Sequence, residues 1–297
     1  EVHQNDISDV RQQARTAPLV KWTFDAEGPG RWSGTPKIEA KGPQPPSYAG
    51  FATGNKAAFF PGKDLSLVLR ESDAPGVSLR FGNGDPITLE AWVSIEEIKD
   101  SAYVYLVGKG RNRNKDFQPE NQNYALRLKG EGGTAHVTFL FRSEAGQFDS
   151  KKDYHRWISS EGFTPGTGWH HVAVTYEFGK PDSIAGYVDG KKTDGVWDLG
   201  GKSDKAPVQD ADDVVLGTGN GGGTGNTLHG WLDEVAIFRE ALPDAVLSQR
   251  FQFVPPAPVV ETRKLPQGRV LVEICEAGLP EKNSWPVQPM QATESYQ

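Results

Sequence analysis

The chain is predicted to be all-β, folded as a two-sheet antiparallel β-sandwich or jelly roll. Three observations predict this. The 297 residues include 34 Gly, 21 Pro, 8 Trp and 14 Phe, which suits many short strands joined by tight turns rather than helices. From Pro18 onward, strand-length apolar or alternating runs recur at near-regular intervals, the spacing of a sandwich. In the stretch from Gly168 to Gly195, Val172, Val174, Tyr176 and Phe178 alternate with His171, Ala173, Thr175 and Glu177, so one row enters a core and the other can face outward. Asp189-Gly190 then supplies the positive φ values of a two-residue type I′ turn, carrying Tyr187 and Val188 into Lys191 and Lys192.

The elements follow in order. Residues 1–17 are polar, with one short helical candidate, SDVRQQAR, capped by Ser8, and read as an arm or incoming linker. Residues 18–254 form the main domain, whose size fits a single sandwich of roughly 200–250 residues. Its strands are LVKWTF, NKAAFFPG, LSLVL, ITLEAWVSI, AYVYLVGKG, NYALRLKG, AHVTFLFRS and RWISS, then the hairpin, VVLGTG and WLDEVAIF. Residues 255–297 start as a proline-rich extended linker, then offer one candidate strand in RVLVEICEAG and a polar tail.

Charge and cysteine usage exclude several classes. Net charge is −7 with a pI near 5.5, and Lys and Arg are scattered without a basic face, so neither nucleic acid nor an anionic membrane is an expected partner. No apolar run approaches the roughly 20 residues of a spanning helix. Glu1 opens neither a Met start nor a signal segment, so the chain is expected to be soluble and cut from something longer. Cys275 is the single cysteine, which rules out an intramolecular disulfide and a thiolate cluster.

The order NKAAFFPGKDLSLVL, ITLEAWV, YLVGKG, NYALRLKG, GWHHVAVTY, GYVDGK, VVLGTG, GWLDEVAIFREAL resembles the laminin-G-like, concanavalin-A-like jelly-roll family, over about Leu19 to Phe253. The resemblance implies a secreted, periplasmic or cell-surface bacterial protein and a fold that hosts lectin modules, adhesive domains and glycanases. The tail RVLVEICEAGLPEKNSWP is similar to the segment that follows such a domain in large planctomycete cytochrome c-fused secreted proteins, which implies one module of a multidomain parent. Any haem would lie elsewhere, since attachment needs Cys-x-x-Cys-His. The resemblance also implies a structural Ca²⁺ between the first and last strands, held by Asp25 and Asp233 with oxygens near Asn55. Asp233 could instead cap neighbouring backbone amides.

The glycanases of this fold carry E-x-D-x-x-E on one strand, and no such run occurs. The adjacent acids Glu96-Glu97, Asp212-Asp213 and Asp233-Glu234 point to opposite faces of a strand and do not flank one glycosidic bond. The six histidines show no metal spacing. Trp22, Trp92, Trp169 and Trp231 occupy positions where the family packs aromatics. Trp32, Tyr154, Trp157 and Trp197 lie in less patterned, polar surroundings and are the candidate platforms for a sugar face, with Arg156 suited to an acidic glycan. Two loops complete the candidate site, one bearing Arg111, Arg113 and Asn121, the other a glycine-rich run containing Asn220.

These residues predict a non-catalytic module that binds a polysaccharide or glycan, alongside other domains of its parent. The rivals are a structural or protein-interaction module that binds no sugar, and a glycan hydrolase or lyase. Glycan binding predicts exposed, coplanar Trp157 and Trp197 lining a groove; a spacer predicts those rings buried against the arm or tail.

Overall fold

The computed structural model describes residues 17–112, 114–143, 147–219, 225–255, 259–264 and 270–275. They fall into two compact units that part between Val254 and Pro255. Among the described residues no helix is long and apolar enough to cross a membrane.

The first unit is a sandwich of two antiparallel sheets. One contains β1 Val20–Trp22, β3 Lys37–Glu39, β4 Ala57–Pro61, β6 Pro86–Ser94, β11 His170–Glu177, β12 Lys180–Val188, β13 Lys191–Thr193 and β16 His229–Phe238. Its order is β13-β12-β11-β6-β16-β4-β3, and β1 pairs with β16. The other contains β2 Arg31–Trp32, β5 Leu67–Leu69, β7 Tyr103–Gly110, β8 Gln122–Glu131, β9 Thr134–Arg142, β10 Tyr154–Phe163, β14 Gly195–Leu199 and β15 Val214–Leu216. Its order is β14-β10-β9-β8-β7-β15-β5-β2. The β12–β13 pair takes the expected register, with Val188 opposite Lys191 and Tyr187 opposite Lys192, and Asp189 and Gly190 have φ of 51° and 72°.

Alternation fills the space between the sheets. Ile87, Leu89, Ala91 and Val93 of β6 meet Val104, Leu126, Leu128, Val137 and Phe139 of the second sheet in one continuous core. The outward row of β6, Thr88, Glu90 and Trp92, is also buried. Returning chain covers it: Phe251 stacks on Trp92 at 5.5 Å, Phe51 meets Trp92 edge-on, and Arg250 pairs with Glu90. Trp22, Trp92 and Trp169 are buried as their strand positions predict, and Trp231 is half-buried beneath Lys37 and Lys41. The outer face of the second sheet stays open enough to carry a depression.

In the second unit, β17 Val259–Lys264 and β18 Val270–Cys275 form an antiparallel pair with Val259 opposite Cys275. The run VVETRK, expected as extended linker, is therefore itself a strand.

Candidate functional site

Two-residue periodicity places the site residues. On β10, Tyr154 and Arg156 face outward, while His155 and Trp157 face the core, where His155 stacks on Phe141 at 4.9 Å. Cross-strand pairing sets Arg156 opposite Leu140 of β9 and Leu199 of β14. On β7 and β8, Tyr105 pairs with Arg127, and Arg127 with Thr138 of β9. These rows form a depression of about 300 Å³ that gathers Arg111, Tyr154 and Arg156 with Tyr103, Arg127 and Lys151. Leu140 and Leu199 add apolar wall, and Asn226 closes one side.

The depression is basic and aromatic. Arg156 forms a two-point ion pair with Asp198, at 2.7 and 2.8 Å, and its guanidinium lies 4.3 Å from the Tyr103 ring centroid. Arg127 lies 5.0 Å from the Tyr103 centroid and 5.2 Å from that of Tyr105. Tyr105 is anchored in turn by donating its hydroxyl proton to Gln122 at 2.8 Å. Burial, and then the charges of Arg156 and Arg111, pull the Arg127 guanidinium below its ordinary pKa. Arg111, at φ 53°, sits 4.8 Å from the Tyr154 centroid, and the Tyr154 hydroxyl donates to the Glu120 carbonyl at 2.7 Å. Among its described lining residues there is no Asp or Glu.

Several expected platforms lie elsewhere. Trp157 is 2% exposed, and its ring fills the space left by Gly186 and Gly195, where any Cβ would overlap it. A ring so enclosed offers no face to a sugar, so its expected stacking role is corrected to packing. Trp197, its cross-strand partner, turns inward with it and packs edge-on against Tyr176 and Phe141 at 5.7 and 6.2 Å. Both rings are held by the sandwich itself, which neither the groove nor the spacer expectation described. Trp32 is half-buried against Phe60 and Phe24 and lines a separate depression with Asp25 and Ile38. Asn121 lies outside the Arg156 depression, bridging Arg142 and Asp210 at 2.6 and 2.7 Å. Arg113 and Asn220 lie outside the described residues.

Tyr103, Arg127 and Lys151 were missed. A signal for Arg127 existed: in NYALRLKG it is a cation centred in an apolar strand, in the row shared with Ala125 and Lys129.

Acidic groups gather at two other places. Asp212 accepts from Asn112 at 2.8 Å and Asp213 from Asn114 at 3.1 Å, while Asp210 accepts from Asn121. Burial pushes the Asp212 carboxyl up to about 6. On β16, Asp233 is fully buried and its carboxyl is pushed up to about 8, chiefly by burial. The Asn55 amide donates to Asp233 at 2.7 Å and to the Pro43 carbonyl at 3.0 Å, while Asp25 accepts from the Lys56 amide at 2.9 Å. Among the described residues no group of three or more His, Cys, Asp or Glu is placed to hold a metal ion.

No curated protein matches the chain. Among solved structures it is similar in fold to the binding domain of Paraclostridial Mosquitocidal Protein 1, with a TM-score of 0.58 and 11% identity over 88% of this chain. The chain spans 64% of that domain's length. Looser likenesses include the botulinum neurotoxin serotype G binding domain, with a TM-score of 0.45, 9% identity and coverage of 78% of this chain and 50% of that one. The heptameric SAP-like pentraxin of Limulus polyphemus matches with a TM-score of 0.41 and 14% identity, over 82% of this chain and 96% of that one. The family model described as the concanavalin A-like lectin/glucanases superfamily matches residues 72–247, more than half of the chain and most of both sheets, and the chain belongs to that family.

Proposed function

We propose that the chain is a carbohydrate-binding module that holds a polysaccharide or glycan on the outer face of its second sheet without cleaving it, as one part of a secreted multidomain protein. The observation that carries this reading is the depression itself. Guanidinium forks at Arg111 and Arg156 are fixed by ring contacts, apolar wall lies beside them at Leu140 and Leu199, and no carboxylate is among the described lining residues. Guanidinium groups bind sugar oxygens, and leucine and tyrosine surfaces take the C–H faces of a pyranose. Cleavage would need two carboxylates about 5–10 Å apart across the bound sugar. The family's own description, lectins and glucanases, names both outcomes, and the lining favours the first.

A glycan array read with the wild type, Tyr103→Ala and Trp32→Ala tests this. Binding is expected to fall about tenfold or more in Tyr103→Ala, which removes the ring shared by two guanidiniums, and to persist in Trp32→Ala, in the other depression. Silence across a broad array from the folded protein would transfer the reading to a protein-interaction module.

A further inference from the structure

We infer that the floor of this depression is an oxyanion subsite built on Arg127, so that the glycan it takes is an acidic one, bearing the carboxylate of a uronic acid or a sulfate ester. This rests on the glycan reading of the same depression. Arg127 is 3% exposed, yet its Nε and Nη2 have no hydrogen-bond partner among the described residues. A buried guanidinium without a counter-charge is costly, and folded proteins pair such groups. This molecule does so elsewhere with the same edge of the fork. Nε and Nη2 of Arg156 grip Asp198, and Nε and Nη2 of Arg80 grip Glu71 at 2.9 and 2.6 Å. In Arg127 that edge meets no carboxylate among the described residues, and Tyr103 and Tyr105 hold the plane of the group. A two-oxygen anion matches two parallel N–H donors.

The surroundings agree. Thr138 Oγ1, on the residue opposite Arg127, is also buried without a partner among the described residues. Three more cations, Arg111, Lys151 and Arg156, line the depression, and one of them is neutralised by Asp198. In a chain of net charge −7, this excess of positive charge attracts anions locally. Both donor atoms are buried, so the anion reaches them when rim side chains turn; Lys151 is exposed on the turn that carries it.

Titration calorimetry with four probes tests the subsite: oligogalacturonate, its methyl ester, a carrageenan oligosaccharide and its desulfated form. One acidic probe is expected to bind at least about tenfold tighter than its neutral counterpart, and which one does so separates carboxylate from sulfate. In Arg127→Met that preference should shrink to about twofold, with a melting temperature equal to or above that of the wild type, because an unpaired buried charge has gone. Arg127→Lys, which keeps the charge without the fork, should fall between the two and serves if the Met variant fails to fold. Inorganic sulfate at low millimolar concentration should raise the melting temperature of the wild type more than that of the variant. Glycan binding with no acidic preference and no sulfate difference would overturn the subsite and leave the glycan reading standing. A sulfate difference without glycan binding would do the reverse, and silence in every arm would overturn both.

Discussion

Arg156 and Trp157 are neighbours in the chain and belong to different parts of the molecule, one to the surface depression and one to the core. The Trp157 ring lies over Gly186 of β12 and Gly195 of β14, so three strands depend on it. Trp157→Ala is therefore expected to destabilise the fold by about 3–5 kcal/mol in urea unfolding. Gly195→Ala should destabilise it also, since the new methyl would overlap the ring and the Ile158 carbonyl. If Trp157→Ala unfolded like the wild type, the packing role assigned to the ring would be wrong. The facing of Trp157 was legible, because period two sends Arg156 and Trp157 to opposite sides; polar neighbours in sequence were the misleading cue. Residue type alone makes Tyr154, Arg156 and Arg111 candidates, and that they share one depression depends on pairings across β7 to β14, which no local pattern encodes.

At the scale of elements, β16 does two jobs in succession. Its first half pairs with β4 at His229 to Leu232, and its second with β1 at Val235 to Ile237. Between them Glu234 takes φ 50° and the register against β6 shifts. The buried carboxyl of Asp233 sits at this irregularity, facing the Asn55 amide. We propose that calcium is held here by Asp233, the side-chain oxygen of Asn55 once its amide turns over, the Pro43 carbonyl and Asp25, with water completing the shell. The fit comes from Asp233, a fully buried carboxyl with no cationic partner among the described residues, and from the Asn55 amide group lying between two oxygens. Calcium is then expected to raise the melting temperature above that in chelator, and Asp233→Ala to abolish the difference. Identical melting with and without calcium would remove the ion from the account. The long elements were readable from alternation, and the type I′ hairpin from two residues. β2, β3 and β14 were not, because strands of two to five residues are stabilised by their neighbours and leave little pattern of their own.

At the scale of the whole molecule, the fold admits both binding and cleavage, and cleavage would need suitably placed acids. The described lining of the basic depression lacks them, while Asp116 and Asp213 line a different hollow with Asn112, whose amide also donates to Asp212. A carboxyl pushed up to about 6 has the acidity of a general acid, yet Asp212 is 2% exposed and its oxygen is engaged by Asn112 and the Asp213 amide. Its backbone carbonyl also receives the buried Lys109 ammonium. These contacts tie Asp212 to Asn112 and Lys109, and a structural and a catalytic role separate by pH. A carboxyl whose folded pKa lies above its unfolded value binds more protons in the folded state, so its contribution to stability declines as pH rises from about 4 to about 6, by at most about 1.4 kcal/mol per pH unit. The difference in urea stability between the wild type and Asp212→Asn should carry that slope, because the raised carboxyl of Asp233 contributes equally to both proteins. Neither protein should release new reducing ends from a bound glycan. Reducing ends from the wild type that vanish in Asp212→Asn would make the carboxyl catalytic, and the chain would belong with the glucanases of its family rather than the lectins.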